Sequence, residues 1–135
     1  MKRFLDSSVL VESCLSQSPG FSRADALVND PDAMTSAHAL LETYATLSGD
    51  ARLRIAAADA AQMVADIADA VRIEALQISE YPKLISSAPA KGIRGGNIYD
   101  ALHAQIARLS GCTEIRTLNV AHFKHVAPDL KVLAP

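Results

Sequence analysis

Tryptophan is absent, and phenylalanine and tyrosine together make only 4% of the 135 residues. So thin an aromatic content argues against the stacked-base platforms with which single-strand binders hold nucleic acid. Cysteine occurs twice, at Cys14 and Cys112, far apart and without a CxxC pair. That argues against a secreted disulfide framework and against paired zinc ligands, and both residues read as small buried hydrophobes. No run approaches the roughly 18 consecutive apolar residues of a membrane span. Met1-Lys2-Arg3 leads straight to Asp6 without the apolar stretch of a signal peptide, so a cytoplasmic protein is the expectation. Repeats, low-complexity segments and long linkers are missing as well, and residues 1–135 are expected to form a single domain.

What the chain has is aliphatic. Half of it is hydrophobic, mostly Ala, Leu, Val and Ile, and the mean hydropathy is +0.14, enough for a sizeable core. The net charge of −2 hides an asymmetry, with −5 over residues 1–71 and +3 over residues 72–135. Arg94, Arg108, Arg116, Lys124 and Lys131 of the later half offer cations for phosphate, but a scatter of this kind is equally a solvated face.

Apolar patterning alternates strand and helix from end to end, which predicts a parallel sheet with helices on its faces. Phe4-Leu5 reads as the first strand, followed by a helix over 9–15, a break at 16–20 and a helix over 22–28. Ala33 to Thr35 reads as a second strand, and Ser36 as the cap of a helix over 37–47 that Gly49 ends. Asp59-Ala60-Ala61-Gln62 has the spacing of a capping box, and residues 71–76 alternate as a third strand. A helix over 79–85 crosses Pro82, Asn97 is the expected cap of a helix over 98–109, residues 114–118 make a fourth strand, and 130–133 a fifth. Val9, Leu10, Leu15, Met63, Val64 and Ile67 offer more apolar surface than one small sheet consumes, so a homodimer is expected.

Within that frame the acids stand out. Asp6 follows an apolar strand and so sits at its carboxyl end, the edge where ligands collect in open α/β sheets. Glu42 lies at the border of the buried face of its helix, and Asp100 in the first turn of another. Brought together, three carboxylates would repel and take up protons unless a hard cation such as Mg²⁺ or Mn²⁺ neutralised them. Such a centre activates water and fits a phosphodiester, whose oxygens complete the coordination. His122 and His125, three apart, could chelate a metal on a helix turn but lack further ligands of the same softness, His38 and His103 read as core-edge or surface residues, and none is placed among the ligands.

The chain also resembles a known family, the PIN-domain ribonucleases, and among them the VapC-type toxins of bacterial toxin-antitoxin pairs. The resemblance is carried by Phe4-Leu5-Asp6-Ser7-Ser8-Val9-Leu10-Val11, by Thr35 to Leu47 around Glu42, by Ile98-Tyr99-Asp100-Ala101-Leu102-His103-Ala104, and by Ile115 to Phe123. It implies a Mg²⁺- or Mn²⁺-dependent endoribonuclease that cuts structured RNA, is dimeric, and is silenced by a cognate antitoxin reaching into the acidic pocket. On it, Asp6 and Asp100 bind metal and Glu42 completes the catalytic triad of acids, directly or through water. Many members carry an acid where this chain has Asn119, whose neutral amide is a weak fourth ligand.

The expected fold is therefore a three-layer α/β sandwich around a parallel sheet with the strand of Asp6 near its middle. Two other functions fit the same layout. One is a phosphate- or nucleotide-sensing domain using Gly92 to Gly96 and the Asn97 helix start as an anion cradle, although neither GxGxxG nor GxxxxGK[ST] is present. The other is an RNA-binding PIN module weakened catalytically at Asn119.

Overall fold

Alternation along the first strand decides the architecture. In the computed structural model, which describes residues 2–135, β1 (Arg3–Leu5) points Phe4 to one face of the sheet and Leu5 to the other, and both are fully buried. A strand apolar on both sides needs helices on both sides, which is the condition for a parallel sheet. Five strands meet it, β1, β2 (Ala33–Ser36), β3 (Arg72–Glu74), β4 (Glu114–Arg116) and β5 (Lys131–Leu133), all parallel in the order β3-β2-β1-β4-β5. The strand of Asp6 is central, as expected.

The seven helices are α1 (Ser7–Glu12), α2 (Phe21–Val28), α3 (Ala37–Gly49), α4 (Ala57–Ala70), α5 (Glu80–Ser87), α6 (Asn97–Leu109) and α7 (Val120–Val126). Leu5, Val9, Leu10, Val28, Ile67 and Val71 form the core on one face of the sheet, between the strands and α1, α2 and α4. Phe4, Met34, Ile115 and Val132 meet Leu102, Ile106 and Phe123 of α6 and α7 on the other. Val9, Leu10 and Ile67 are thus spent inside the molecule and offer nothing to a second copy. The large exposed apolar side chains are elsewhere, among them Leu41, Tyr44, Ile78, Tyr81 and Ile85. Cys112 is buried, and burial pushes its thiol up to about 11.

Several helix boundaries depart from the sequence expectation, among them those of α1, which runs Ser7–Glu12 rather than over 9–15. Helix α4 begins at Ala57, so Asp59 lies inside the first turn, where it favours the helix dipole without capping, and Gln62 bonds Asp66 instead. Helix α6 is capped by Gly96, and Asn97 is its first residue. The amides of Asn97, Ile98 and Tyr99 already donate to the carbonyls of Arg94, Gly95 and Gly96, a tight entry that leaves no amide for a side-chain cap. Gly49 is the last residue of α3, which ends at Asp50, whose carboxylate accepts the Arg52 amide. Ser36 does cap α3, its hydroxyl accepting the Ala39 amide at 2.9 Å.

At the amino end of the sheet a buried acid joins the two central strands. Glu114 accepts from Arg3 Nε at 3.2 Å and from Arg116 Nε at 2.5 Å, while Arg3 also pairs with Asp30 in the turn before β2. Burial pushes the Glu114 carboxyl up, but its hydrogen bonds and charge pairing with Arg116 and Arg3 outweigh this and hold it below the ordinary glutamate value. A carboxylate depressed in the folded state stabilises above its unfolded value, and that stability is lost as pH falls through the folded one. Glu114→Gln is therefore expected to cost about 1–3 kcal/mol near neutral pH in urea melts, and the cost should shrink as the solution is acidified. A cost that stays constant on acidification would show that charge is not its origin.

Candidate active site

Because side chains alternate along a strand, Asp6, two residues after Phe4, belongs on the face covered by α6. It also caps α1, with extended backbone at φ −69° and ψ 157°. Ser8 Oγ donates to Asp6 Oδ2 at 2.7 Å, Thr117 Oγ1 at 2.9 Å and the Ser8 amide at 3.4 Å. All three converge on one oxygen, so Oδ1 accepts no hydrogen bond among the described residues. One half of the carboxylate is anchored, and the other is left for a ligand.

The β4–α7 loop tightens this anchor. Ser8 Oγ accepts the Leu118 amide at 3.0 Å, and Thr117 Oγ1 accepts the Asn119 amide at 2.9 Å. Each hydroxyl thus spends its proton on Asp6 and its lone pair on the loop backbone. Neither residue was read as part of the site from sequence. A Thr closing an apolar strand has no pattern to mark it, and Ser8 stood in the turn after Asp6.

Helix α6 brings the second acid and an unexpected ring. One carboxylate oxygen each of Asp6 and Asp100 and one ring nitrogen of His103 lie within 4.8 Å of one another. His103 is fully buried, and its ring is engaged at both nitrogens. Nε2 meets Glu42 Oε1 at 2.5 Å and Nδ1 meets Ser36 Oγ at 2.8 Å. Ionised Glu42 accepts from Nε2, and Nδ1 shares a hydrogen bond with the Ser36 hydroxyl that also accepts the Ala39 amide, so both ring nitrogens are engaged by protein groups. His103 therefore holds Glu42 in place rather than offering a lone pair to a metal.

His122 is the second histidine at the site. Its Nε2 lies 2.6 Å from Asp100 Oδ2. Burial and the negative charges of Asp6 and Glu42 push the Asp100 carboxyl above its ordinary value, with His122 and His103 working in the opposite direction. His125 is exposed and takes no part. Asn119 caps α7, exposed and without a side-chain hydrogen bond at the cap.

Oxygen donors on Asp6 and Asp100, one carboxylate half free and a net repulsion between them suit a hard divalent cation. A soft-metal site would want thiolates or free imidazoles, and both cysteines lie elsewhere.

The family profile of the PIN domain matches residues 3–128. The chain belongs to the PIN-domain family. Solved structures share the fold. VapC20 of Mycobacterium tuberculosis, described as a toxin cleaving the sarcin-ricin loop, is 22% identical with a TM-score of 0.65, over 84% of this chain and 87% of its own. VapBC2 of Rickettsia felis, bound to a DNA fragment from its promoter, is 18% identical with a TM-score of 0.68, over 98% and 97%. PAE2754 of Pyrobaculum aerophilum is 18% identical with a TM-score of 0.69, over 98% and 89%. No curated protein sequence matches the chain. Among the described residues of this PIN domain, no helix is long and apolar enough to cross a membrane.

Asp100 supplies a test of the electrostatics that needs no substrate. A carboxyl raised in the folded state destabilises the fold as pH rises from its unfolded value through its folded one. Asp100→Asn, melted without divalent ions at neutral pH, is expected to unfold at a higher temperature than the native chain. The gap should close on acidification, where native Asp100 takes up its proton, and a lower melting temperature for the variant at neutral pH would contradict the repulsion.

Proposed function

We propose that this PIN domain is a metal-dependent endoribonuclease and the toxin of a toxin-antitoxin pair. The observation that carries the reading is the convergence of Asp6 and Asp100, from β1 and α6, with Glu42 tied to them through His103. Similar structures of VapC20 and of VapBC complexes support the toxin assignment and an antitoxin partner.

Asp6 and Asp100 would hold one Mg²⁺ or Mn²⁺, with Asn119 at most an outer partner. Bound there, the cation acidifies a water molecule and offsets the charge that develops on the phosphodiester oxygens. Asp6 is oriented by Ser8 and Thr117 through Oδ2, which leaves Oδ1 as the oxygen that would bind a cation, and Asp100 is steadied by His122. Glu42 has Oε1 committed to His103, so Oε2 is the oxygen that would accept a proton from the attacking water. An antitoxin arginine or lysine entering between Asp6 and Asp100 would silence the site by occupying the cation's place. A homodimer is part of the same reading and would draw on exposed apolar side chains rather than on the buried residues of α1 and α4.

The rival reading, an anion cradle from Gly92 to Gly96 and the start of α6, has few donors at the helix start itself. The amides of Asn97, Ile98 and Tyr99 are bonded to Arg94, Gly95 and Gly96.

Two measurements test the proposal. Asp6→Asn is expected to reduce Mn²⁺-dependent cleavage of RNA at least a hundredfold, or about 2.7 kcal/mol, with an unchanged circular dichroism spectrum. Full activity in that variant would remove Asp6 from the centre. Asn119→Asp, titrated calorimetrically with Mn²⁺, is expected to bind less than about tenfold more tightly, because an exposed carboxylate adds only ~1 kcal/mol or less. A larger gain would place residue 119 among the direct ligands.

A further inference from the structure

Four rings run from the core to the surface beside the acids. Phe4, on the central strand, lies with its ring centroid 5.7 Å from that of His103. His103 is 5.7 Å from His38 on α3, and His38 stacks on Tyr99 of α6 at 4.8 Å with only 16° between the planes. Exposure rises along the row, from 0% at Phe4 and His103 to 48% at Tyr99. Tyr99 immediately precedes Asp100 in the chain. Leu41, one turn along α3 from His38, is 67% exposed and extends an apolar margin past the rings.

A tyrosine used only as cover would bury its ring. Here His38 covers part of it, holding the plane against a partner that is itself fixed by the core, and nearly half of the residue is left to solvent next to the catalytic acids. A preordered, half-exposed ring is what a nucleobase stacks on without an ordering penalty, and stacking tolerates any base because each has a π-face. The scarcity of aromatics argues against a platform of several rings but leaves room for one ring at the right place.

We propose that Tyr99, backed by His38, is a stacking site for an unpaired nucleobase of the RNA next to the scissile phosphate. It rests on the reading of the site as a ribonuclease and adds a requirement on the substrate, a base free of its helix at the cleavage point. Tyr99 is a positioning residue in this scheme, setting where along the strand the phosphate meets Asp6 and Asp100.

The test uses the full chain with Mn²⁺ and single-stranded RNAs carrying 2-aminopurine at successive positions, whose emission is quenched by stacking. On rapid mixing the native protein and Tyr99→Phe are expected to quench the label at one or two adjacent positions before any cleavage, and Tyr99→Ala at none. In steady state Tyr99→Ala should raise KM roughly tenfold or more, with Tyr99→Phe close to native. Tyr81→Ala, removing an exposed tyrosine on α5, serves as the control and should change neither quantity. Thermal melts identify a variant that fails to fold, and in that event Tyr99→Leu, which keeps apolar bulk but has no π-face, replaces Tyr99→Ala and should lose the quenching.

Cleavage with unchanged KM and unchanged quenching in Tyr99→Ala would overturn the stacking site while leaving the nuclease reading intact. Absence of quenching at every position by the native protein would overturn it too. Equal loss in Tyr81→Ala would do the same by showing that the effect is not local. Failure of the native protein to cut any RNA, with quenching present and lost in Tyr99→Ala, would instead remove the nuclease activity and keep the base-binding site.

Discussion

Two like charges are held close at the carboxyl edge of the sheet, and much of the local structure exists to tolerate them. Asp6 and Asp100 come from elements with no sequence proximity, and their mutual repulsion works against the packing of α6 on β1. The molecule meets the cost from several directions. Ser8 and Thr117 neutralise one oxygen of Asp6, His122 shields Asp100, and the rest of α6 is anchored through Leu102, Ala104, Ile106 and Ala107, all buried. A helix seated this firmly can carry an unfavourable charge at its first turn without lifting away from the sheet.

His103 shows how core and site share material. Its ring contacts Phe4, spans to Ser36 and Glu42, and leaves no nitrogen free. The hydroxyl that caps α3 is the same hydroxyl that holds this ring at Nδ1, so the start of one helix, the orientation of a buried imidazole and the aim of a carboxylate are one linked arrangement. Fully satisfied buried networks of this sort specify a single geometry, and partial loss is costlier than the count of bonds suggests.

The layers and most of the elements were legible from sequence because apolar alternation between strand and helix is a local signal, and Asp6 stood out because a carboxylate after a buried strand is anomalous. Glu42 and Asp100 were legible as acids at the borders of apolar stripes. His103 and His122 were not. A histidine on an apolar helix face looks the same whether it fills space or bridges two polar groups, and only distances such as those from residue 103 to residues 36 and 42 separate the two. Thr117 was hidden for the same reason. The starts of α4 and α6 were misjudged where side-chain patterns suggested caps. Tight backbone turns satisfy the amides at α6, and such turns leave no residue-type signature beyond the glycines around Gly95, whose φ of 58° the entry requires.

Thr117 donates to Asp6 across 111 residues of chain, and β4 reaches β1 across a similar interval. A polypeptide emerging from the ribosome amino end first presents Asp6 long before it presents Asp100 or Thr117. Until the last quarter of the chain is out, the first carboxylate has neither its hydrogen-bond donors nor its acidic neighbour, and β1 lacks one of the two strands that flank it. The order of synthesis thus delays the cluster, which cannot assemble before Asp100 and Thr117 have joined Asp6.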